Sequence, residues 1–289
     1  MKIDELLPNL KKNVSLRKQT SFKIGGQAKY FFEAKTRKDL VKAVKAAKDF
    51  NLPFFVLGGG SNLIASDKKF NGLVIKFGQP LALFVSKGMD WAVGIPGTIQ
   101  GAVYGNAGAF GKSMKDEVKQ VEVLDVNNFK IKKFNNKDCC FSYRESVFKK
   151  NKNLIILSVE IKKKKTDLKK LKQYLDYRKK TQPLNYFSAG SIFKNEKLTK
   201  QNEKTIKNYS QFEEFKKTGK IPAAWLIEKA GLKGKRIGQA EVSKKHANFI
   251  VNLGDAKAND VKKLINLMKK QVEKKFKIKL IEEIQYFNF

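Results

Sequence analysis

The sequence contains very little cysteine and histidine. Cys139 and Cys140 are its only cysteines and are adjacent, which argues against a disulfide framework. His246 is the single histidine, and a metal site built on it would need partner ligands that the sequence does not supply. We therefore expect no metal centre. A serine nucleophile, which usually needs a neighbouring base, would have one imidazole available in the whole chain.

Long apolar runs are also missing. The longest, such as NLIILSV at residues 153–159, falls well short of the roughly 18 residues of a membrane span and suits a buried strand. The opening MKIDELLPNLKKN lacks the apolar centre and small-residue cleavage site of a secretory signal. These absences predict a cytoplasmic protein that does not associate with membranes.

Acidic residues are scarce, and this excess of positive charge invites a nucleic-acid interpretation. The chain has 61 lysines and arginines against 27 acidic residues, a formal net charge of +34. Only five of the basic residues are arginine, however, and the lysines are spread along the chain, with one denser run at 161–172. Phosphate-binding surfaces usually concentrate charge on one face and use arginine freely. We expect a solvated, lysine-rich surface and no specific nucleic-acid partner.

The 289 residues suggest two domains, and the first part contains a βαβ pattern. KYFFEAKT at 29–36 predicts a strand, with Thr36 at the N-cap of a helix whose apolar residues Leu40, Val41, Val44 and Ala47 have helical spacing. PFFVL and GLVIKF predict two further strands. A strand–helix–strand unit of this length implies a right-handed crossover and a parallel pair.

Two glycine-rich segments interrupt this first part. GGGSN at 58–62 follows the carboxyl end of a predicted strand, where such sheets bind ligands. Its bare peptide groups and the side chains of Ser61 and Asn62 could hold an anion, although a tight turn explains the glycines equally well. The segment GIPGTIQGAVYGNAGAFG at 94–111 contains six glycines. Two such loops in one lobe favour an extended diphosphate ligand such as a dinucleotide.

The rest of the chain alternates predicted strands and helices. We expect strands in VKQVEVLDV, FKIKKF and NLIILSVEIKKK, and then a helix over 168–180 with Leu168, Leu171, Tyr174 and Leu175 on one face. After a hinge near Thr181, a short helix closes at Gly231, HANFIVNLG predicts a strand, and a long helix follows from residue 259. FKIKLIEEIQYF at 276–287 predicts a final strand.

Several polar residues could carry chemistry, and none is decisive alone. Ser191 in SAGSIFKN would be a turn residue in most proteins, and Arg144 in FSYRES could be a surface ion-pair residue. In a strand, Glu282 and Glu283 point to opposite faces. Both faces carry apolar neighbours, so the alternation of the strand does not single out either acid as a site residue. Both could equally be ordinary surface carboxylates.

Taken in order, the motifs resemble the UDP-N-acetylenolpyruvoylglucosamine reductase (MurB) family. The matching segments run from about residue 17 to the C-terminus: TSFKIGGQAKY, VLGGGSNLIASD, GIPGTIQGAVYGNAGAFG, FSYRES, SAGSIFKN, AAWLIEKAGLKGKRIGQAEVSKKHANFIVN and LIEEIQ. The resemblance implies an α+β protein with a two-lobed FAD-binding domain of the vanillyl-alcohol-oxidase (PCMH) type over residues 1–180, its lobes at about 1–77 and 78–180. A C-terminal α/β substrate-binding domain would occupy residues 181–289.

The same resemblance implies the reaction and its residues. FAD and NADPH would be the cofactors, UDP-N-acetylenolpyruvoylglucosamine the substrate and UDP-N-acetylmuramate the product, in peptidoglycan precursor synthesis. Ser191 would donate a proton, which removes the need for an imidazole base. Arg144 would hold the substrate carboxylate, and Glu283, selected by the family pattern, would help to polarise it.

The resemblance also assigns binding residues. Tyr143, Gly190, Lys194 and Asn195 would contact the substrate, with Lys233, Lys235 and Arg236 as weaker candidates for its diphosphate. The implied FAD-binding residues are Gly58, Gly59, Gly60, Ser61, Asn62, Leu63, Ile95, Gly97, Thr98, Gly101, Asn106, Ala107 and Gly108.

The chain departs from the family pattern in places, and the alternatives differ in class. The stretch between Phe77 and Met89 is shorter than usual, and Gln100 stands where glycine is common, which puts flavin affinity in question. A related flavoprotein oxidoreductase with another substrate, or a basic nucleic-acid-binding protein, are the alternatives. The sequence gives no indication of the oligomeric state.

Overall fold

The computed structural model describes residues 2–289, which group into two compact units. Unit 1 comprises 2–19, 26–61 and 69–180, and unit 2 comprises 20–25, 62–68 and 181–289. Two short pieces from the first third of the chain thus belong to the same unit as its last third. The division at residue 180 that the sequence suggests, and the two lobes within 1–180, stay predictions.

The strands are short in both units. In chain order they are β1 (Lys11–Ser15), β2 (Gln27–Glu33), β3 (Phe54–Leu57), β4 (Leu63–Ala65), β5 (Phe70–Lys76), β6 (Gly108–Ala109), β7 (Lys112–Ser113), β8 (Val118–Asp125), β9 (Lys130–Asn135), β10 (Leu154–Ile161), β11 (Phe187–Ser191), β12 (Glu196–Lys197), β13 (Lys220–Ile221), β14 (Arg236–Ile237), β15 (Ala240–Val242), β16 (Phe249–Asn252) and β17 (Gln285–Phe287).

Three of the helices exceed ten residues. The helices are α1 (Ile3–Leu6), α2 (Arg37–Asp49), α3 (Ile99–Tyr104), α4 (Met114–Glu117), α5 (Val147–Lys150), α6 (Leu168–Thr181), α7 (Lys200–Ile206), α8 (Phe212–Thr218), α9 (Ala223–Lys229) and α10 (Ala258–Phe276). Short 3₁₀ helices occupy Leu16–Gln19, Leu81–Lys87, Asp90–Ala92 and Asn136–Cys139. Among the described residues, no helix combines the length and the apolar character that a membrane span requires.

The first sheet of unit 1 contains the predicted βαβ unit. Its order is β1-β2-β5-β3, and β5 pairs in parallel with both β2 and β3. Helix α2 begins at the predicted cap, where the Thr36 hydroxyl accepts a hydrogen bond from the Asp39 N–H at 3.1 Å. Leu40, Val44 and Ala47 are fully buried, so the helical spacing identified the face that packs in the core.

The second sheet of unit 1 is antiparallel, in the order β10-β8-β9, and confirms the three strands predicted there. The apolar residues of β8 are buried and β10 is mostly apolar and largely buried, whereas β9 is lysine-rich and mostly exposed. This edge position explains the lysines of FKIKKF, because charged side chains on an edge strand discourage pairing with other chains.

The short stretch after β5 is ordered against the second glycine segment. Pro80 forms an isolated antiparallel bridge with Thr98, and the N–H of Leu81 donates to the carbonyl of Gly97 at 2.9 Å. The amide oxygen of Gln100 accepts from the N–H of Gln79 at 3.0 Å, and Leu81 is buried. The side chain of Gln100 therefore holds the backbone of the segment that follows β5.

Unit 2 is built on an antiparallel sheet in the order β11-β16-β15-β14. All four residues of β16 are buried, and the predicted stripe of α10 lies in the core of the unit: Val261, Leu264, Ile265, Met268 and Val272 are all fully buried. Strand β17 pairs in parallel with β4, which brings residues 63–65 and 285–287 together within this unit.

Two expectations about secondary structure were wrong in part. The final strand predicted over 276–287 is limited to β17, and the chain before it makes one isolated bridge, between Glu282 and Phe193. Helix α6 forms as expected, but Leu168 on its predicted apolar face is 76% exposed and Arg178 is its buried residue. A lysine-rich helix with half-buried leucines offers too weak a period to locate its buried face.

Candidate functional site

Within unit 1, the two glycine segments lie against each other backbone to backbone. A Cβ added at Gly59 would stand 2.4 Å from the Cα of Gly97, and one added at Gly58 would stand 2.7 Å from the Thr98 hydroxyl oxygen. The hydroxyl of Ser61 donates to the carbonyl of Pro96 at 3.1 Å. Because side chains cannot fit at this contact, both segments require glycine for close approach of the backbone.

This contact explains why both segments are rich in glycine. Residues 58–61 follow the carboxyl end of β3, and Gly97, with φ of 116°, turns the chain back beside them. Peptide groups without side chains can approach a phosphate closely and present N–H donors to it. Such bare peptide groups could hold the diphosphate of a dinucleotide, and the glycines at this contact, Gly58, Gly59, Gly60 and Gly97, are all among the predicted cofactor-binding residues.

The other predicted cofactor-binding residues of unit 1 lie in the second glycine segment, where hydrogen bonds and packing hold them. Thr98 caps α3, since its hydroxyl accepts from the N–H of Gly101 at 3.2 Å, and the half-buried Ile95 packs with the surrounding core. Asn106 is buried with φ of 42°, and its amide donates to the carbonyl of Ser142 at 2.7 Å. The N–H of Ala107 donates to the carbonyl of Ala102 at 2.8 Å.

Two predicted cofactor-binding residues, Asn62 and Leu63, belong to unit 2. The side-chain amide of Asn62 donates to the main-chain carbonyl of Glu283 at 3.2 Å. The main-chain carbonyl of Asn62 accepts from the N–H of Gln285 at 3.1 Å. Leu63 is the first residue of β4 and faces Gln285 in the parallel pair with β17. Asn62 thus holds the backbone of the Glu283 segment, a role that the sequence did not indicate.

Arg144 lies in a tight turn of unit 1. Ser142 and Glu145 exchange backbone hydrogen bonds of 3.1 Å in both directions, and Arg144 between them has φ of 58°. Its guanidinium donates from Nη2 to the carbonyl of Gly108 at 2.9 Å and lies 5.3 Å from the ring centroid of Tyr143. The turn thus places the guanidinium against the backbone of the second glycine segment.

Ser191 ends β11 at a bulge in unit 2. Ser188 pairs with Val251 and Ser191 with Phe249, so three steps on β11 match two steps on β16. Gly190 inside this bulge has φ of 77°, and a Cβ there would meet nothing within 4 Å. Bulges with a left-handed glycine change the direction of the neighbouring side chain and occur often beside active sites. The predicted contact residue Gly190 is therefore needed for its backbone conformation.

The structure brings Ser191 and Glu283 into neighbouring backbone segments. The carbonyl of Ile192 accepts from the N–H of Glu283 at 2.8 Å, and the N–H of Lys194 donates to the carbonyl of Ile281 at 2.8 Å. The side-chain oxygen of Asn195 accepts from the N–H of Ala223 at the start of α9, at 3.1 Å. Residues 191–195 and 281–284 thus form one connected group in unit 2.

The carboxylates of this group have different partners. Glu282 is ion-paired with Lys269 at 2.9 Å. Burial raises the pKa of Glu196, while the N–H of Ile281 and the charge of Lys194 oppose the shift. Among the weaker candidates, Lys233 is ion-paired with Glu228 at 2.8 Å.

One buried side chain beside Ser191 was missed. Asn248, which precedes β16, binds both backbone groups of Phe193 through its amide. An asparagine next to an apolar strand reads as a turn residue, so the available signal was only its position in HANFIVN. His246, two residues earlier, packs edge-on against Phe249 at 4.8 Å, and within residues 2–289 its Nδ1 is buried with no hydrogen-bond partner.

Two family models match the chain. The C-terminal domain of UDP-N-acetylenolpyruvoylglucosamine reductase matches residues 182–287, and an FAD binding domain matches residues 28–86. The second match covers β2 to β5 and the Gly58–Ser61 loop. Together with the mixed α/β architecture of both units, these matches confirm the predicted fold class and the predicted FAD cofactor.

Three proteins that match nearly the whole length of this chain are all named as the same reductase. A UDP-N-acetylenolpyruvoylglucosamine reductase of Caldicellulosiruptor bescii is 39% identical, with 95% of this chain and 90% of the relative covered. Another from Anoxybacillus flavithermus is 36% identical, with 96% and 93% covered. The crystal structure of the reductase (MurB) from Thermus caldophilus superposes with a TM-score of 0.75 at 28% identity, covering 96% and 98% of the chains. The chain belongs to the UDP-N-acetylenolpyruvoylglucosamine reductase family.

Proposed function

We propose that this protein reduces UDP-N-acetylenolpyruvoylglucosamine to UDP-N-acetylmuramate with NADPH and bound FAD, as a step of peptidoglycan precursor synthesis. The observation that carries the proposal is the identity of 39% to a reductase of this name over 95% of the chain. An agreement over nearly the full length includes both the FAD-binding part and the C-terminal domain, so it covers the residues needed for cofactor and for substrate.

The residues of unit 1 fit an FAD diphosphate. The paired glycine segments leave room for backbone only, as the 2.4 Å approach at Gly59 shows, and such bare peptides suit close contact with phosphates. Residues Gly58 to Ser61 and Ile95 to Thr98 would hold the diphosphate, and Gly101 and Asn106 to Gly108 would line the adjoining surface. FAD held by these residues would supply the hydride-transfer chemistry that links NADPH oxidation to reduction of the substrate's vinyl group.

Ser191 is the proposed proton donor. Hydride addition to the vinyl group leaves negative charge at the carbon that bears the ether oxygen, and a positioned hydroxyl can protonate this carbon without an imidazole. The bulge at Gly190 supports the role, because it changes the direction of the Ser191 side chain relative to a regular strand. Ser191 then regains a proton from solvent, which balances the uptake of one hydride and one proton by the substrate.

Arg144 and Glu283 are proposed to act on the substrate carboxylate. An arginine fork has five N–H donors and binds carboxylates in a planar, two-pronged manner that lysine cannot reproduce. Its hydrogen bond to the Gly108 carbonyl supports a fixed guanidinium. Glu283, held through its backbone by Ile192 and Asn62, would polarise the same carboxylate as charge develops. Tyr143, Gly190, Lys194 and Asn195 are proposed to line the substrate site.

We infer that the protein works in the cytoplasm, where NADPH and sugar nucleotides are available. The test of the function is a coupled measurement on purified, FAD-loaded protein. NADPH oxidation should depend on added UDP-N-acetylenolpyruvoylglucosamine, and mass spectrometry should find a product two hydrogens heavier than the substrate. NADPH oxidation that ignores the substrate, or a reduced product formed only from a different enol ether, would contradict the proposal.

A further inference from the structure

The peptide groups of Phe193 are bound by a side chain where a strand would otherwise bind them. Asn248 is 3% exposed; its amide nitrogen donates to the carbonyl of Phe193 at 2.8 Å and its amide oxygen accepts from the N–H of Phe193 at 3.0 Å. A primary amide has a donor and an acceptor side by side, so it reproduces the pair of bonds that a neighbouring strand makes with one residue.

The backbone next to this amide connects Ser191 to Glu283. The N–H of Ile192 donates to the main-chain carbonyl of Asn248 at 2.9 Å, and the carbonyl of Ile192 accepts from the N–H of Glu283 at 2.8 Å. The two residues that follow Ser191 are therefore held by Asn248, and the first of them also binds the Glu283 backbone.

The fold requires such a side chain at this point. The bulge in β11 ends the regular pairing with β16 at Ser191, whose partner is Phe249. Beyond it, the N–H and carbonyl of Phe193 would be buried without a ladder, because Phe193 itself is 1% exposed. Buried peptide groups need partners, and Asn248 supplies both.

We propose that Asn248 is a positioning residue for the proton-transfer step: its amide fixes the backbone after Ser191 and thereby the direction of the Ser191 hydroxyl relative to Glu283. This inference rests on the proposed function, since it concerns Ser191 as proton donor. Asn248 does not itself act on the substrate. A small displacement of a reacting group strongly lowers the rate of the reaction step, even when every catalytic group is present.

The chain provides a matched control four residues further on, at the end of β16. Asn252 is 2% exposed, its amide nitrogen donates to the carbonyl of Phe22 at 3.0 Å, and its amide oxygen accepts from the N–H groups of Gly254 and Ala256. It has the same chemistry and burial as Asn248, but its partners lie outside the segments of Ser191 and Glu283. Changing Asn252 therefore reports the general effect of a broken buried amide.

The experiment compares Asn248→Asp with Asn252→Asp in FAD-loaded protein by anaerobic stopped-flow absorbance. Each substitution keeps the acceptor bonds and removes the donor bond to a carbonyl. At neutral pH we expect Asn248→Asp to slow reoxidation of the reduced flavin by UDP-N-acetylenolpyruvoylglucosamine about ten- to hundred-fold, with flavin reduction by NADPH unchanged. Asn252→Asp should leave the ratio of the two rates as in the wild type.

A pH series adds a readout that a purely structural role would not change. As the pH falls, the introduced carboxyl of Asn248→Asp becomes protonated and can again donate to the Phe193 carbonyl, so reoxidation should recover relative to the wild type at the same pH. If Asn248→Asp does not retain FAD, Asn248→Ala and Asn252→Ala are compared by the same rate ratio.

The experiment separates failure of the positioning role from failure of the proposed function. Equal rate ratios for the Asn248 and Asn252 variants, in a wild type that turns over, would overturn the positioning role. A wild type whose reduced flavin is not reoxidised by the substrate would overturn the proposed function instead.

Discussion

The N–H of Glu283 donates a 2.8 Å hydrogen bond to the carbonyl of Ile192, the residue that follows Ser191. This hydrogen bond joins two segments of unit 2 that are far apart in the sequence. One follows Ser191 at the end of β11, and the other contains Glu283, just before β17. In the proposed mechanism Ser191 needs no imidazole partner, because a positioned hydroxyl can protonate the basic carbon left by hydride addition.

The contact between the glycine segments of unit 1 predicts a loss of flavin affinity in Gly59→Ala. The new Cβ would lie 2.4 Å from the Cα of Gly97, a backbone atom that can yield only if the loop moves. Overpacking of this kind costs about 1–3 kcal/mol, so we expect FAD to bind about ten-fold or more weakly. Flavin fluorescence on titration of the apoprotein measures the change.

Gly105→Ala is the matched control for this prediction. Gly105 lies in the same glycine-rich segment with φ of −91°, and its nearest neighbour would be the carbonyl oxygen of Gly101 at an ordinary 3.7 Å. FAD affinity should therefore be retained. Equal affinities for Gly59→Ala and the wild type would show that the contact does not shape the cofactor site.

The turn that holds Arg144 predicts a selective defect in Arg144→Lys. Lysine keeps the charge but loses the planar fork, and hydrogen bonds to charged groups contribute about 1.5–3 kcal/mol each. We expect reoxidation of the reduced flavin by the substrate to slow at least about ten-fold, while reduction by NADPH changes little.

The control is Arg37→Lys, which alters an arginine paired with Glu122 on the surface of unit 1. Such exposed pairs contribute little to stability, and both half-reactions should remain at wild-type rates. A wild-type reoxidation rate in Arg144→Lys would remove Arg144 from the proposed mechanism.

His246 predicts a loss of stability on mild acidification. Burial lowers its pKa below the usual 6.5, assisted by the charge of Lys233 and opposed by that of Glu228. As the pH falls through about 6.5, the unfolded chain takes up a proton that the folded protein resists. The free energy of unfolding should therefore decrease below this pH, and His246→Gln should be less sensitive.

Urea denaturation at about pH 7.5 and about pH 5.5 measures this difference, in the interval where an ordinary histidine titrates. The interpretation is simple because the chain has no second histidine. Other titrating groups, such as Glu196, whose pKa is raised by burial, are present in both proteins and cancel in the comparison. An identical loss of stability in the wild type and His246→Gln would contradict the assignment.

The sequence predicted the parts of the fold that depend on local periodicity. Helix α10 and the βαβ unit around α2 were expected because their apolar residues recur at helical spacing. All of these residues are buried except Val41 of α2, which is half-buried. The last strand was overestimated, because the alternation in KIKLIEEI satisfies a strand pattern whereas pairing depends on whether another strand lies alongside.

The site was predictable only as a set of motifs. Sequence patterns indicated the glycine segments, but the closeness of Gly59 to Gly97 arises from the fold. The bulge at Gly190 depends on register with β16, which no local pattern specifies. Asn62 and Asn248 were missed in their structural roles because an asparagine amide that binds a distant backbone group looks, in sequence, like any turn residue.

The most direct test of the account is single-turnover kinetics of Ser191→Ala, with Ser188→Ala on the same strand as control. With FAD bound, NADPH should reduce the flavin of both variants at the wild-type rate, because Ser191 acts only on the substrate. Reoxidation by UDP-N-acetylenolpyruvoylglucosamine should then slow about 10²- to 10⁴-fold in Ser191→Ala, the range for loss of a general acid, and remain normal in Ser188→Ala. Reoxidation of Ser191→Ala at the wild-type rate, or an equal loss in both half-reactions, would contradict the proton-donor role.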